Sequence, residues 1–401
     1  MESAILKSFP SANFGLAPME GVSDLPFRLW MSLTSAPSFA GTPFLRVTPT
    51  YPKARIPRAF APELDELRDV TSYSLTPQLM ASSPADFLRV AERVLEHSPF
   101  VDLNCGCPSP NAVGSMAGSS LLKNPQTFAD FVEHISRELG PGRLSVKMRT
   151  GFESHKEFRD LLQAIEGLPL HHVTIHGRTR AQRYDGLSRW QMIAEASRSL
   201  PYPVIPSGDI TSASSVIDAG PYLDRIDSLI IARGALRNPW LFNELRSQSL
   251  QTVTAEVLVG SLAVLGSLYI LSLRHEDLLF AAAKEGIFTN SCGTNGEAWR
   301  SVFERLQGFL GTSQAWETLE LPHFVMGRVK MIWNYLRSSL PDPFFAPQIL
   351  RSRSFETLAC GIQEAAKTCT SHNATLKHQE HLDWIYTSKK KPPRESDPLF
   401  H

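Results

Sequence analysis

Up to about Leu245, this 401-residue chain alternates short apolar runs with segments of helical periodicity, eight times over, and that alternation narrows the fold more than any other feature. The runs predicted as strands are 14–18, 39–46, 76–80, 101–104, 144–148, 172–176, 204–207 and 228–232. Helices are predicted between them at 25–34, 84–95, 125–139, 157–166 and 212–219, several opening on Pro or on Asp/Ser. Eight strand-then-helix units predict an α/β fold, a closed parallel (β/α)8 TIM barrel. Such barrels place their chemistry at the C-terminal ends of the strands. The polar residues there are Met19 and Glu20, Gln78, Asn104 and Cys107, Lys147 and Arg149, His176 and Arg178, Ser207 to Asp209, then Arg233 and Gly234.

After Leu245 the pattern turns helical, with segments predicted at 255–273, 299–309, 323–340 and 355–367. The expected division is a catalytic barrel over 1–248, a smaller all-helical domain over 249–368 and a polar basic tail over 369–401. Val257 to Leu273 gives 17 residues without a charge, which raises the question of a membrane span. The run is short for a bilayer, holds Gly260 and Gly266 and has no basic flank on its N-terminal side, so a helix buried in a bundle is expected and no membrane partner.

With 40 basic and 40 acidic side chains, no global field advertises a polyanionic partner. The excess is local: residues 322–394 hold 11 Lys/Arg against 5 Asp/Glu, which fits RNA contact as well as an ordinary solvated helix face. Five cysteines, an odd number without scaffold spacing, favour a reducing compartment. Met1 to Phe14 lacks the charged and apolar regions of a signal peptide, so the cytoplasm is the expected location. A monomer is expected.

The chemistry concentrates in VDLNCGCPSPNAVGSMAGSSLLKNP, residues 101–125. Apolar residues lead into Asn104, two cysteines flank Gly106, and Pro108 stops the strand before a loop of little side-chain bulk. A lone cysteine in a large core is ordinarily inert packing, but a polar, glycine-rich strand end argues against that for Cys107. Thiols are mostly protonated at neutral pH, so a cysteine here can donate a proton. A C-x-C pair offers a metal only two ligands, on opposite faces of a strand, and no second pair has zinc spacing; no metal is expected. Lys147 supplies a point charge and His176 a directed donor; taken singly, a solvated lysine and a satisfied core histidine are the ordinary readings. With PSGD (206–209) and ARGAL (232–236) after strands seven and eight, where barrels bind phosphate, they point to a phosphorylated cofactor.

Taken together, LAPMEGVSD, DLNCGCPS, SVKMRTG, IHGRT, PSGDI and ARGAL resemble the tRNA-dihydrouridine synthase family over residues 15–366. RVKMIWNYLR in the helical part resembles the RNA-reading helix of its bacterial C subfamily, the tRNA-dihydrouridine(16) synthases. The resemblance implies an FMN-containing barrel, NADPH as reductant, and reduction of the C5=C6 bond of a uridine in the tRNA D loop, uridine 16 in that subfamily. It implies Cys107 as the proton donor to C5, with hydride reaching C6 from reduced flavin. Pro18, Met19, Glu20, Gln78 and Lys147 would line the flavin, with His176 close to flavin and substrate. Ser207, Gly208, Asp209, Ala232 and Arg233 would hold the FMN phosphate. Asn104, Arg178 and Tyr184 match positions near the target nucleotide, and Arg46, Arg328, Lys330 and Tyr335 match the subfamily's tRNA-orienting set.

The chain departs from that pattern in places. Pro43 replaces an acidic residue, Ser207 an Asn, Ala232 a Gly and Pro110 a Lys, while 283–321 reads as an insertion. Two other classes fit part of the sequence: a flavin-barrel oxidoreductase acting on a small pyrimidine or enone, which needs no basic helix around Arg328, and a non-catalytic tRNA-binding protein, which needs neither Cys107, Lys147 nor His176.

Overall fold

A computed structural model describes residues 13–369 except 54–55, 115 and 223–226, so the basic tail from 370 onward and residues 1–12 lie outside the described residues. Ten parallel strand segments form one sheet: β1 (Asn13–Leu16), β2 (Phe39–Gly41), β3 (Leu45–Arg46), β4 (Ser74–Thr76), β5 (Gln78–Met80), β6 (Val101–Cys105), β7 (Leu144–Arg149), β8 (Val173–His176), β9 (Val204–Ser207) and β10 (Ser228–Ile231). β2 and β3 are two halves of one barrel strand, as are β4 and β5. The first halves pair with each other, the second halves likewise, and β1 pairs with both β2 and β10, so the ring closes with eight strands.

Each interruption holds a proline, Pro43 between β2 and β3 and Pro77 between β4 and β5. Pro77 has no N–H to give the ladder. The seam is bridged instead by Thr42, whose N–H donates to Thr76 O (3.1 Å) and whose Oγ1 accepts from Gln78 N (3.0 Å). Register then sets the mouth of the barrel: Asn104 lies opposite Lys147, and Arg149, His176 and Ser207 form one row across β7, β8 and β9.

Helices cover the outside, opening where capping chemistry places them. Asp24, Ser83 and Asn124 accept from the first-turn N–H groups of the helices Leu25–Ser35, Pro84–Val94 and Pro125–Leu139. Every residue of Leu25–Ser35 is buried, because the helical domain lies over it. At the centre of that domain runs Ala255–Arg274, long and apolar enough to cross a membrane by length and composition, but with 78% of its most apolar 18-residue stretch made of buried residues. It packs on Leu25–Ser35, Gly296–Phe309, His323–Leu336 and Phe355–Thr368. Trp30 Nε1 donates to Ser261 O (2.8 Å), tying barrel to bundle. The stretch 283–321 is a wall of this bundle rather than an appendage. Trp299 and Trp316 are fully buried in it, and a Cβ on Gly260 would meet the Trp316 ring at 2.4 Å.

Candidate active site

The loop after β6 is held by a directed row of hydrogen bonds that begins on a buried carboxylate. Burial pushes Asp102 up to about 6, opposed by hydrogen bonds from Ser145 and Gln78 and by the charge of Lys147, so at neutral pH it is ionised and only accepts. It takes Ser145 Oγ–H at 2.6 Å and Gln78 Nε2–H at 2.7 Å. Gln78 must then turn Oε1 toward Asn104, which donates from Nδ2 at 2.8 Å. Asn104 in turn presents Oδ1 to the N–H groups of Gly106 (3.0 Å) and Cys107 (2.9 Å). The charge on Asp102 thereby fixes both amides and the loop that carries the thiol.

From the other side Ser119 donates to Cys107 O through Oγ (2.7 Å) and N–H (3.2 Å). Gly118, at φ +59°, approaches so closely that a Cβ would lie 3.2 Å from Cys107 Cβ. Cys107 Sγ donates to Ser109 Oγ at 3.5 Å and packs in a small group with Met80, Ala112, Ala117 and Phe44. Cys105 points the other way, into the main core, where burial pushes its thiol well up. The C-x-C pair is therefore split between two environments.

Cations gather around this loop although the chain is neutral overall. Buried Arg149 donates from Nε to Gly106 O (2.8 Å) and from one terminal nitrogen to Thr179 O (3.0 Å) and Arg183 O (2.7 Å), binding the cysteine loop to the loop after β8. Tyr184 lies under the guanidinium groups of both Arg149 (5.6 Å) and Arg233 (4.6 Å). His176 is held well below the usual imidazole range by burial first, then by Arg149, Lys147, Arg178 and Arg233. It accepts a hydrogen bond at Nε2 from Arg178 (3.2 Å), which assigns its proton to Nδ1.

After β9 and β10 the chain passes so close to itself that Gly208 and Gly234 admit no side chain: a Cβ would stand 2.5 Å from Ser188 Oγ and 2.0 Å from Ile210 O, respectively. Ala232 has φ −104°, outside the left-handed region, so alanine needs no rescue where glycine is common. The Asp209 carboxylate is already engaged by Arg178 (2.7 Å) and by Ser188 N (2.8 Å). Arg233 also stands 3.7 Å from it, so the carboxylate shapes the loop. Arg178 is likewise spent inside the wall, on Asp209, Asp185 O and Gly186 O, with its side chain 1% exposed.

The family model for dihydrouridine synthases matches residues 15–264, the whole barrel and the start of the helical domain. The chain belongs to the dihydrouridine synthase family. It is 33% identical over 229 residues to the tRNA-dihydrouridine(16) synthase of Escherichia coli O157:H7, covering 56% of this chain and 72% of that relative. To the tRNA-dihydrouridine synthase B of Pasteurella multocida it is 28% identical over 234 residues, covering 58% of this chain and 68% of the relative. Morphinone reductase superposes over 59% of this chain and 86% of its own at 11% identity, with a TM-score of 0.42. Dihydrouridine synthases act on tRNA and are flavin-dependent.

The mouth of this synthase fits a flavin in one testable respect. Lys147 Nζ has no hydrogen bond or ion pair with any described residue, although burial first, and then Arg149, lower it to about 8 against the opposing charges of Asp102 and Cys107. A half-buried ammonium without a partner is placed for an anionic or strongly accepting ligand. Below about pH 8 Lys147 carries its charge; above it the free protein loses it. Flavin retention is therefore expected to fall as pH rises through 8, by at most about tenfold per pH unit for one linked proton. Equilibrium dialysis of flavin from pH 7 to 9 measures this, and Lys147→Met should flatten the profile.

The remaining sites spread around the β1 loop and the bundle. Glu20 is exposed at the rim, where partial burial raises its carboxyl against the charge of Arg46, itself exposed. Pro18 and Met19 are half-buried on the same loop. Arg328 donates to Gly21 O at 2.6 Å, Lys330 Nζ to Ser352 O at 2.9 Å, and Tyr335 lies beside Arg233 and Arg237. Arg46 and Arg328 thus flank one turn, while Lys330 serves its own domain and Tyr335 faces the loop after β10. Sequence reasoning passed over Asp102 and the tethering by Arg149; the one signal was a carboxylate between the apolar Val101 and Leu103 of a strand.

Proposed function

We propose that the protein reduces the C5=C6 bond of uridine 16 in the tRNA D loop to 5,6-dihydrouridine, with FMN in the barrel mouth and NADPH as reductant. The observation that carries this reading is the placement of Cys107, pinned by Asn104 and Ser119 beside Lys147, Arg149 and His176 in a chain of this family. The flavin, when bound, supplies hydride to C6. The protein does the rest. Charge developing on the uracil oxygen meets a mouth walled by Lys147 and Arg149, and Cys107 delivers the proton to C5. Neutral His176, with its proton on Nδ1, contributes a donor without adding positive charge. Pro18, Met19, Glu20 and Gln78 line the flavin in this reading, and Ser207, Gly208, Ala232 and Arg233 hold its phosphate. Asn104 and Tyr184 flank the base, which must leave the tRNA fold to reach the thiol. Arg46 and the basic helical face meet the RNA backbone outside. A cytoplasmic monomer without a membrane partner completes the reading, and light scattering of the purified protein tests its oligomeric part.

Dihydrouridine is mapped by mass spectrometry in tRNA from cells lacking this protein and in the same cells complemented with it. Loss and recovery of the two added hydrogens at position 16 support the assignment. Loss at another D-loop position overturns the choice of uridine, and no change in cells without a second such enzyme overturns the substrate.

A further inference from the structure

Met19 to Ser23 forms a tight turn in which Val22 N and Ser23 N both donate to Met19 O, Ser23 Oγ bonds Met19 through both its N–H and its carbonyl, and Gly21 takes φ +72°. This turn carries the residues that the proposed function sets against the flavin. Two guanidinium groups fasten it. Arg28 holds Ser23 O (2.5 Å) from within the barrel layer, and Arg328 holds Gly21 O (2.6 Å) from the helix His323–Leu336 of the other domain. Arg328 does more than bond one carbonyl. Its charge acts on the half-buried carboxylate of Asp24, its guanidinium lies over the ring of Tyr269 at 5.9 Å, and Tyr269 in turn donates to Asp24 Oδ1 at 3.0 Å. The same Oδ1 caps Leu25–Ser35 through Phe27 N. One guanidinium therefore joins the β1 turn, the helix after it and two helices of the bundle. Its charge also offsets a carboxylate that burial otherwise drives toward the neutral form.

We propose that Arg328 is a positioning residue that locks the Met19–Asp24 turn to the helical domain, rather than a direct ligand of RNA. An arginine kept for a phosphate presents its whole fork to solvent, whereas this one is half-buried, gives a terminal nitrogen to a main-chain carbonyl and lies over the Tyr269 ring. The inference rests on the flavin site proposed above, but its test needs no tRNA.

The experiment compares Arg328→Met, Arg328→Lys and wild type as holoenzymes. Three quantities are read: flavin dissociation on dilution, followed by recovery of flavin fluorescence; hydrogen exchange of the peptide spanning 19–27; and KM for tRNA. Arg328→Met should release flavin about tenfold faster and lose protection in that peptide with no tRNA present. Arg328→Lys, which keeps the charge and one donor, should recover most of both. Unchanged flavin release and exchange in Arg328→Met, with a tRNA KM raised tenfold or more, overturn the proposal and return Arg328 to the RNA surface. Loss of flavin from both variants equally, without rescue by lysine, also overturns it. Should wild type retain no flavin, the proposed function itself fails, an outcome visible before any variant is made.

Discussion

Cys107→Ala is expected to lower dihydrouridine formation by about 10²–10⁴-fold, the range for loss of a positioned acid, while leaving flavin reduction by NADPH in the absence of tRNA unchanged. The substitution is structurally mild. The bonds that hold the loop run to the main chain of Cys107, from Asn104 Oδ1 and Ser119, and survive loss of the thiol. What disappears is a small, half-buried group whose one hydrogen bond among the described residues is to Ser109 Oγ, at 3.5 Å. Cys107→Ser keeps a proton on a much weaker acid and should recover little. Cys105→Ala is the control: its thiol faces the core, so it should cost stability rather than chemistry. Equal loss from the two alanine variants, measured by mass spectrometry of tRNA and by stopped-flow flavin reduction, would sink the assignment of Cys107.

Glu63→Gln should destabilise the protein by about 3–5 kcal/mol, the usual consequence of removing one partner of a buried ion pair. Arg28 and Glu63 meet through two parallel bonds of 2.6 and 2.8 Å, with side chains 1% and 2% exposed, and Tyr73 OH adds a third bond to the carboxylate at 2.9 Å. Glutamine leaves the guanidinium buried without a counter-charge. Replacing the group by apolar residues, as Arg28→Met with Glu63→Leu and Tyr73→Phe, should recover much of that loss, because no charge is then stranded. It should not recover flavin retention, since Ser23 O loses its donor. Chemical denaturation measures the first effect and flavin release the second. A triple variant that also holds flavin normally would show that the pair serves packing alone.

The barrel was legible because each strand carries its own signal, a short apolar run closed by a polar end. Pro125–Leu139 could be placed to the residue, since its cap Asn124 and first residue Pro125 announce it. The split of 39–46 and 76–80 was not foreseen, because it depends on how Thr42 bridges a gap opposite Pro77, a relation between two strands. The site shows the same division. The CPS, KMR, HGR and SGD motifs name the residues at the mouth, and their spacing alone brings Asn104, Lys147, Arg149, His176 and Ser207 to the same end of adjacent strands. Periodicity could not show that Asp102 sets the direction of Gln78 and Asn104, or that Arg178 and Asp209 consume each other's charge. Nor could it show that the uncharged run 257–273 is covered on several sides, since its partners lie as far apart as Leu25 and Thr368.

That covering sets a schedule for synthesis. The barrel strands are complete by Ile231, whereas the helices that sheathe Ala255–Arg274 end only at Thr368. For the roughly one hundred residues of translation between Arg274 and Thr368, some 5–20 s at ordinary elongation rates, an oily cylinder stands beside a barrel without its outer layer. Messages broken within that window are expected to yield chains whose barrel strands are all present and whose surface is sticky. Such fragments are expected to become clients of chaperones and proteases, so the supply of this activity in a cell depends on ribosomes reaching Phe355–Thr368.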